Sequence, residues 1–323
     1  MSAAPAGGKT KAKKAGSTEA QGVGAKWWTP YALMTPGFLW LAAFFVIPTV
    51  LLVQMSLQSG SLESGFENTF AWSNYTEALF GKDVAGLQTP GYLDEFARSV
   101  FFYAIPATLL CLLIAYPLAY TIAFRAGRFK NLMLVLVIAP FFTSFLLRTN
   151  AWKFLLSDNG IVVTIVTKTG IMDVLQFIGF VPEGPPRLLA TKFAVVMGLT
   201  YNFLPFMTLP LYASLERLDV RLVEAAKDLY SSAWTAFRKV TWPLSLPGVV
   251  AGTLLTFIPA VGDPINPKLL GGPTDLAIGN MIDSEFLRQF DYPTAAALSV
   301  MLMAAIVVMV AVYVQRAGTE DLV

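Results

Sequence analysis

Six apolar stretches, at about 38–57, 99–124, 132–156, 189–212, 246–270 and 294–314, each hold roughly the 20 residues that a helix needs to cross the ~30 Å hydrocarbon core of a bilayer. In hydrocarbon every backbone N–H and C=O must be satisfied internally, which leaves helices or a closed barrel, and stretches of this length select helices. The expectation is an all-α integral membrane protein with six transmembrane helices. Composition agrees, with 55% hydrophobic and 14% charged residues against roughly 25% charged in a soluble domain. The first stretch is too long for the apolar region of a cleaved signal and follows a 26-residue tail. "LLVQMSLQSG" behind it holds no small-x-small cleavage site, so it reads as a retained span.

The chain contains no histidine, which removes imidazole proton relays, Ser-His triads and His-based metal sites together. Its one cysteine, Cys111, lies inside an apolar stretch and forms no internal disulfide. A net charge of +2 from 23 basic and 21 acidic residues gives no basic surface for nucleic acid. Residues 1–26 have too few long apolar side chains to pack and read as a disordered basic tail. "GGKT" at 7–10 looks like the end of a phosphate-binding loop, but the first glycine of that pattern falls on Ala3 and no strand precedes it. Residues 27–316 form the expected membrane domain and 317–323 a second tail.

With six spans the termini share one side. Placing them inside puts 14 basic residues on the cytoplasmic side, in 1–26, 125–130, 217–239 and Arg316. The other side holds five, or nine if bases near span ends are assigned to it. The positive-inside rule therefore expects both termini in the cytoplasm. The outer loops hold 13 of the 21 acids. Such a face would attract a cation or a basic surface, or it simply reflects exclusion of acids from the basic side.

Between the fourth and fifth stretches runs "EAAKDLYSSAWTAFRKVTWPLSLPG", residues 224–248, in the longest inner loop, about 216–245. Leu222, Ala226, Leu229, Ala233, Phe237 and Val240 recur at 3–4 spacing and make one apolar stripe, the mark of a short amphipathic helix. Pro243 and Pro247 are expected to interrupt it before the fifth span. Its mixed charge suits an anionic lipid surface poorly. A packed elbow and a docking element both remain open on periodicity.

Within the spans, Asp263 is the only acid, in "PAVGDPINP", where Pro259, Gly262, Pro264 and Pro267 break the helix and free backbone carbonyls. A carboxylate beside open carbonyls suits a passing ammonium group. The alternative is that Asp263 pairs with a base such as Arg148, or caps a broken helix. Tyr201 and Asn202, with Tyr212, offer hydrogen bonds and aromatic faces to such a cation, or tie helices together. Arg148 and Trp152 fall near the outer end of the third stretch, where a gate would sit.

Residues 224–248 resemble the EAA loop of ABC importer permeases in Glu224, Ala225, Ala226, Val240 and Pro243, with Pro247 and Gly248 behind them. "LPFMTLPLYASLERLD" at 204–219, "FIPAVGDPINPKLLGG" at 257–272, "LIAYPLAY" at 113–120 and "NLMLVLVIAPFFTSFLLRTNAW" at 131–152 are similar to permeases of the spermidine/putrescine type, so the resemblance covers roughly 30–316. It implies a type I ABC importer permease fold in a bacterial plasma membrane, carrying polyamines or another small solute and having no chemistry of its own. It implies that Glu224, Ala225, Ala226, Asp228, Tyr230, Phe237 and Pro243 couple to a cytoplasmic ABC ATPase dimer, on which ATP and magnesium bind. It implies a second permease, a sister chain, and an extracytoplasmic substrate-binding protein landing on the 59–98 and 157–187 loops. Tyr230 stands where the family has glycine, Ser231 where it has alanine and Trp242 where it has leucine, so the turn must be built differently, with Ser231 or Ser232 as a candidate cap. An ion-coupled secondary carrier would usually show an internal repeat and several intramembrane charges, and a membrane enzyme would need a nucleophile or metal cluster; neither pattern is visible.

Overall fold

The computed structural model describes residues 28–81, 83–84, 87–88, 90–158, 160–219, 221–222 and 232–316. The chain divides into two compact units, Met1–Val50 and Leu51–Val323. Among the described residues, five helices are long and apolar enough to cross a membrane: α1 (Tyr31–Ser56), α3 (Leu93–Phe124), α8 (Lys192–Glu216), α9 (Trp234–Gly262) and α12 (Tyr292–Arg316). The pair α4 (Gly127–Phe142) and α5 (Phe145–Leu155) is long and apolar enough only when taken together and is bent by 96°, the geometry of a broken span or a re-entrant loop. The third stretch is therefore not the straight span expected. Pro140 enters a tight 3-10 turn at Ala139–Phe142, and Thr143 and Ser144 are extended, so the helix restarts in a new direction. Short helices α2 (Ser73–Phe80), α6 (Ile161–Lys168), α7 (Ile171–Phe177), α10 (Ile265–Leu270) and α11 (Ile278–Ser284) lie between the long ones. Two antiparallel hairpins complete the second unit: Gln58–Ser61 with Gly65–Asn68, and Asp83–Val84 with Leu87–Gln88.

The prolines bring further corrections: Pro259 and Pro267, expected to break the helix around Asp263, lie inside α9 and α10, and another concerns Pro243. The residues after Ser232 do not stop before it but run as one helix from Trp234 through Pro243 and Pro247 to Gly262. A proline in a helix lacks its own donor and crowds the carbonyl four residues back. Here Phe237–Thr241 widens into a π turn, and the Trp242 N–H bonds to the Phe237 carbonyl, five residues back. The same device precedes Pro48, where Ala42–Val46 is a π turn, and Pro106, where Arg98–Ala104 is one. In each the residue before the proline donates five residues back, which makes room for the ring while the helix continues.

In the second unit α8 is the central helix, packed against both α3 and α9. Of its apolar window 67% is buried, against 28% for α12. Close approach of α9 rests on two glycines one turn apart. A β-carbon on Gly252 would lie 2.8 Å from Met207 Sδ and 3.0 Å from the Met207 carbonyl, and one on Gly248 would lie 2.8 Å from the Pro210 carbonyl. Small residues at this spacing let membrane helices pack backbone to backbone. Gly252→Val is expected to lower the thermal midpoint in detergent by more than Gly252→Ala, with a cost of about 1–3 kcal/mol for the overpacked contact; a midpoint equal to wild type would show that α8 and α9 separate without loss.

Candidate functional site

Two clusters gather the residues singled out by sequence. The first lies where α9 ends. Gly262 closes the helix, and Asp263, with an extended backbone and 8% exposed, caps the next one. Its Oδ1 accepts from the Ile265 N–H at 3.0 Å, and its Oδ2 accepts from the Asn266 N–H at 3.2 Å and from the Asn266 side-chain amide. Both carboxylate oxygens thus serve the free donors at the start of α10. Of the alternatives left open, capping is the one found; no ion pair with Arg148 forms.

From Asp263 a chain of side-chain hydrogen bonds crosses the unit. The Asn202 Nδ2 donates to Asn266 Oδ1 at 3.2 Å and to Thr149 Oγ1 at 3.1 Å, which joins α8 to both broken helices. Trp152 meets Tyr201 edge to face, with centroids 5.7 Å apart. Arg148, one residue before Thr149, lies over the rings of Phe141 and Phe145 at 5.2 and 5.7 Å. The five predicted path residues therefore fall in one neighbourhood on α5, α8 and the break after α9. Beside them is a cavity of about 470 Å3 walled by Phe141, Phe145, Phe203 and Phe206, with buried Asn202 behind an almost wholly apolar lining. Sequence reasoning missed Thr149, Asn266 and these four phenylalanines. "INP" beside Asp263 was the available signal for Asn266, whereas Phe in an apolar stretch carries none.

The second cluster lies at the end of the bundle where α3 finishes, α4 begins, α8 finishes and α9 begins. Glu224, Ala225, Ala226, Asp228 and Tyr230 fall outside the described residues; Phe237 and Pro243 are within them. Ser232 caps the helix that follows: its Oγ accepts from the Thr235 N–H at 3.2 Å and contacts Thr235 Oγ1 at 2.8 Å. Phe237 stacks on Trp234 at 5.3 Å and meets Tyr116 of α3 edge to face at 5.6 Å. Trp242 lies 5.2 Å from Tyr116, whose hydroxyl exchanges a 2.8 Å hydrogen bond with Ser245. Lys130 pairs with Glu216 and lies over the Tyr212 ring, which ties α4 to α8 at the same end. Tyr212 is thus bound into the helix packing, the second of the roles considered for it.

At the opposite end a polar cavity of about 480 Å3 contains Glu77, Tyr92, Glu285 and Asp291 among its walls. Glu285 is 4% exposed, accepts from the Tyr92 hydroxyl and receives a 2.7 Å hydrogen bond from Gln289. Burial pushes the Glu285 carboxyl above its ordinary value, and those two hydrogen bonds offset only part of the shift. A raised native value means that the folded state holds the proton more tightly, so stability falls as pH rises from about 4.5 through the native value. Glu285→Gln, which keeps an acceptor oxygen, is expected to melt higher than wild type in detergent at about pH 8, with the gap closing toward about pH 4.5. A gap that is constant across that range would show that ionisation of Glu285 carries no cost.

Residues 84–317 match the family described as binding-protein-dependent transport system inner membrane component. Among curated proteins, the chain is 36% identical over 276 residues to the spermidine/putrescine transport system permease protein PotB of Haemophilus influenzae, covering 85% of this chain and 90% of that one. It is 35% identical over 274 residues to the protein of the same name from Escherichia coli, covering 85% and 92%. The inner membrane ABC transporter permease protein YdcU of Escherichia coli is 31% identical over 248 residues, covering 76% and 78%. Among solved structures, a bacterial ABC transporter involved in import of the acidic polysaccharide alginate superposes with a TM-score of 0.59, at 16% identity over 91% of this chain and 96% of that one. At that identity the likeness concerns the fold.

Proposed function

Because the chain belongs to the family of inner-membrane components of binding-protein-dependent transport systems, we propose that it is a permease subunit of a polyamine importer, forming half of the path for spermidine- and putrescine-like cations. The observation that carries this reading is the likeness to spermidine/putrescine permeases over 85% of the chain. The geometry supports it. Four phenylalanine rings wall a cavity at a place where two helices are broken, and ring faces attract an alkyl ammonium. Asp263 fixes the polar chain beside that cavity in place rather than standing open to solvent.

In this reading both termini are cytoplasmic, the Glu216 end of the bundle faces the cytoplasm, and the cavity with Glu77, Glu285 and Asp291 faces outward. ATP and magnesium bind to a separate ATPase dimer, a sister permease completes the path, and a substrate-binding protein delivers the cation to the outer loops. The EAA segment, Glu224 to Tyr230 with Ala225, Ala226 and Asp228, docks on the ATPase. Displacement of that segment reaches the spans through α9. Phe237 and Trp242 are packed against Tyr116 of α3, and Gly248 and Gly252 hold α9 against α8, so the three helices move together.

Uptake of labelled spermidine and putrescine in a strain lacking this chain is expected to return when the chain is restored, with each polyamine competing against the other. Restored ATPase association without polyamine uptake would move the substrate to another class of small solute. Glu224→Lys is expected to leave the chain in the membrane while abolishing both uptake and substrate-stimulated ATP hydrolysis. Full activity in that variant would remove the coupling assignment.

A further inference from the structure

All of α4 is exposed or half-buried, whereas 67% of the apolar window of α8 is buried. A helix with so little packed area is held by a few particular contacts. Two of them bind α4 to α8, near its two ends. At one, the Lys130 ammonium donates to the Glu216 carboxylate and lies 5.3 Å from the centroid of the Tyr212 ring, so one side chain takes hold of two residues a turn apart on α8. At the other, Phe141 meets Phe206 edge to face at 5.2 Å. Beyond Phe141 the extended residues Thr143 and Ser144 join α4 to α5 and supply a joint about which α4 can turn.

Phe141 and Phe206 belong to the walls of the phenylalanine cavity. Glu216 is the last residue of α8, and the chain continues from it to the EAA segment. One carboxylate thus stands on the route from that segment to a wall of the cavity. We propose that Lys130 and Glu216 form a clip that makes α4 follow the end of α8, so that displacement of the EAA segment moves the Phe141 wall. The inference rests on the permease reading above and adds to it two positioning residues, placed at the end of α4 away from the cavity. The contacts at Tyr116, Gly248 and Gly252 join α3, α8 and α9; the clip adds α4 to that group. With side chains 30% and 44% exposed, the pair contributes little to stability. Its loss changes which helices move together rather than whether the chain folds.

The test uses the full chain assembled with its ATPase, sister permease and binding protein in lipid nanodiscs. Nitroxides attached through Val135→Cys on α4 and Leu244→Cys on α9, positions exposed by 60% and 43%, report the distance between the two helices, while Cys111 is buried and stays unlabelled. When the ATPase is trapped with ATP and vanadate, that distance is expected to hold in the otherwise wild-type chain. It should change in Lys130→Met and in Glu216→Gln, each of which is expected to accumulate and to melt near the wild-type temperature. In proteoliposomes, spermidine carried per ATP hydrolysed should fall about two- to fivefold in both variants, as for loss of a solvent-accessible pair. Exchanging the charges, Lys130→Glu with Glu216→Lys, should return it toward wild type. A distance that changes without the clip variants, or that holds in both of them, overturns the proposal. So does an exchanged pair that transports no better than Lys130→Glu alone, or a lowered midpoint that accounts for the lost transport. Trapping needs no solute, so the distance result stands whatever the chain carries; wild type that holds no ATPase would sink the permease reading and the clip with it.

Discussion

Backbone that leaves a helix inside a membrane must find its hydrogen bonds among side chains, and in this chain that requirement falls on Asp263. Its carboxylate closes the donors that open α10, its partner Asn266 reaches Asn202, and Asn202 reaches Thr149 beside the bend between α4 and α5. Two interruptions of the helical pattern, far apart in sequence, thus share one hydrogen-bonded chain. The cavity walled by phenylalanines adjoins this chain, since Asn202 belongs to both.

The two ends of the bundle are held by different forces. At the Ser232 end, aromatic rings interlock around Tyr116, and one ion pair, Lys130 with Glu216, sits at the margin. At the other, polar groups reach across long sequence separations: Tyr92 donates to Glu285, Arg98 Nη1 donates to the Leu276 carbonyl and the Tyr103 hydroxyl donates to the Asp275 carbonyl. Long-range directional bonds predominate there, while the aromatic end is held chiefly by ring contacts, with the Tyr116–Ser245 hydrogen bond among them.

The spans were legible because length and apolarity are local properties, and the positions of α3, α8 and α12 follow the stretches from which they were inferred. Arg148, Asn202 and Asp263 were legible for the same reason, as polar groups in an apolar run. What escaped was relational. Thr149 and Phe203 look like ordinary span residues until Asn202 and the Phe145 ring are seen beside them, and the Tyr92–Glu285 contact joins residues 193 apart. The bend after Phe142 was hidden because apolar residues continue on both sides of Pro140, Thr143 and Ser144. Pro243 misled for a different reason: the rule that proline ends a helix presumes α-geometry, and the turn before it is wider.

That wider turn has a geometric effect beyond accommodating a ring. A π turn holds one residue more than the α-helix on either side, and one residue is about 100° of rotation. A helical wheel drawn straight from Trp234 to Gly262 therefore assigns the two sides of Phe237–Thr241 to the wrong faces relative to each other. Phe237 and Trp242, five positions apart, both reach Tyr116, a coincidence of direction that a regular helix would spoil. The inserted residue acts as a phase correction, and it lets one continuous rod keep its aromatic side toward α3 before the proline and its glycine side toward α8 after it.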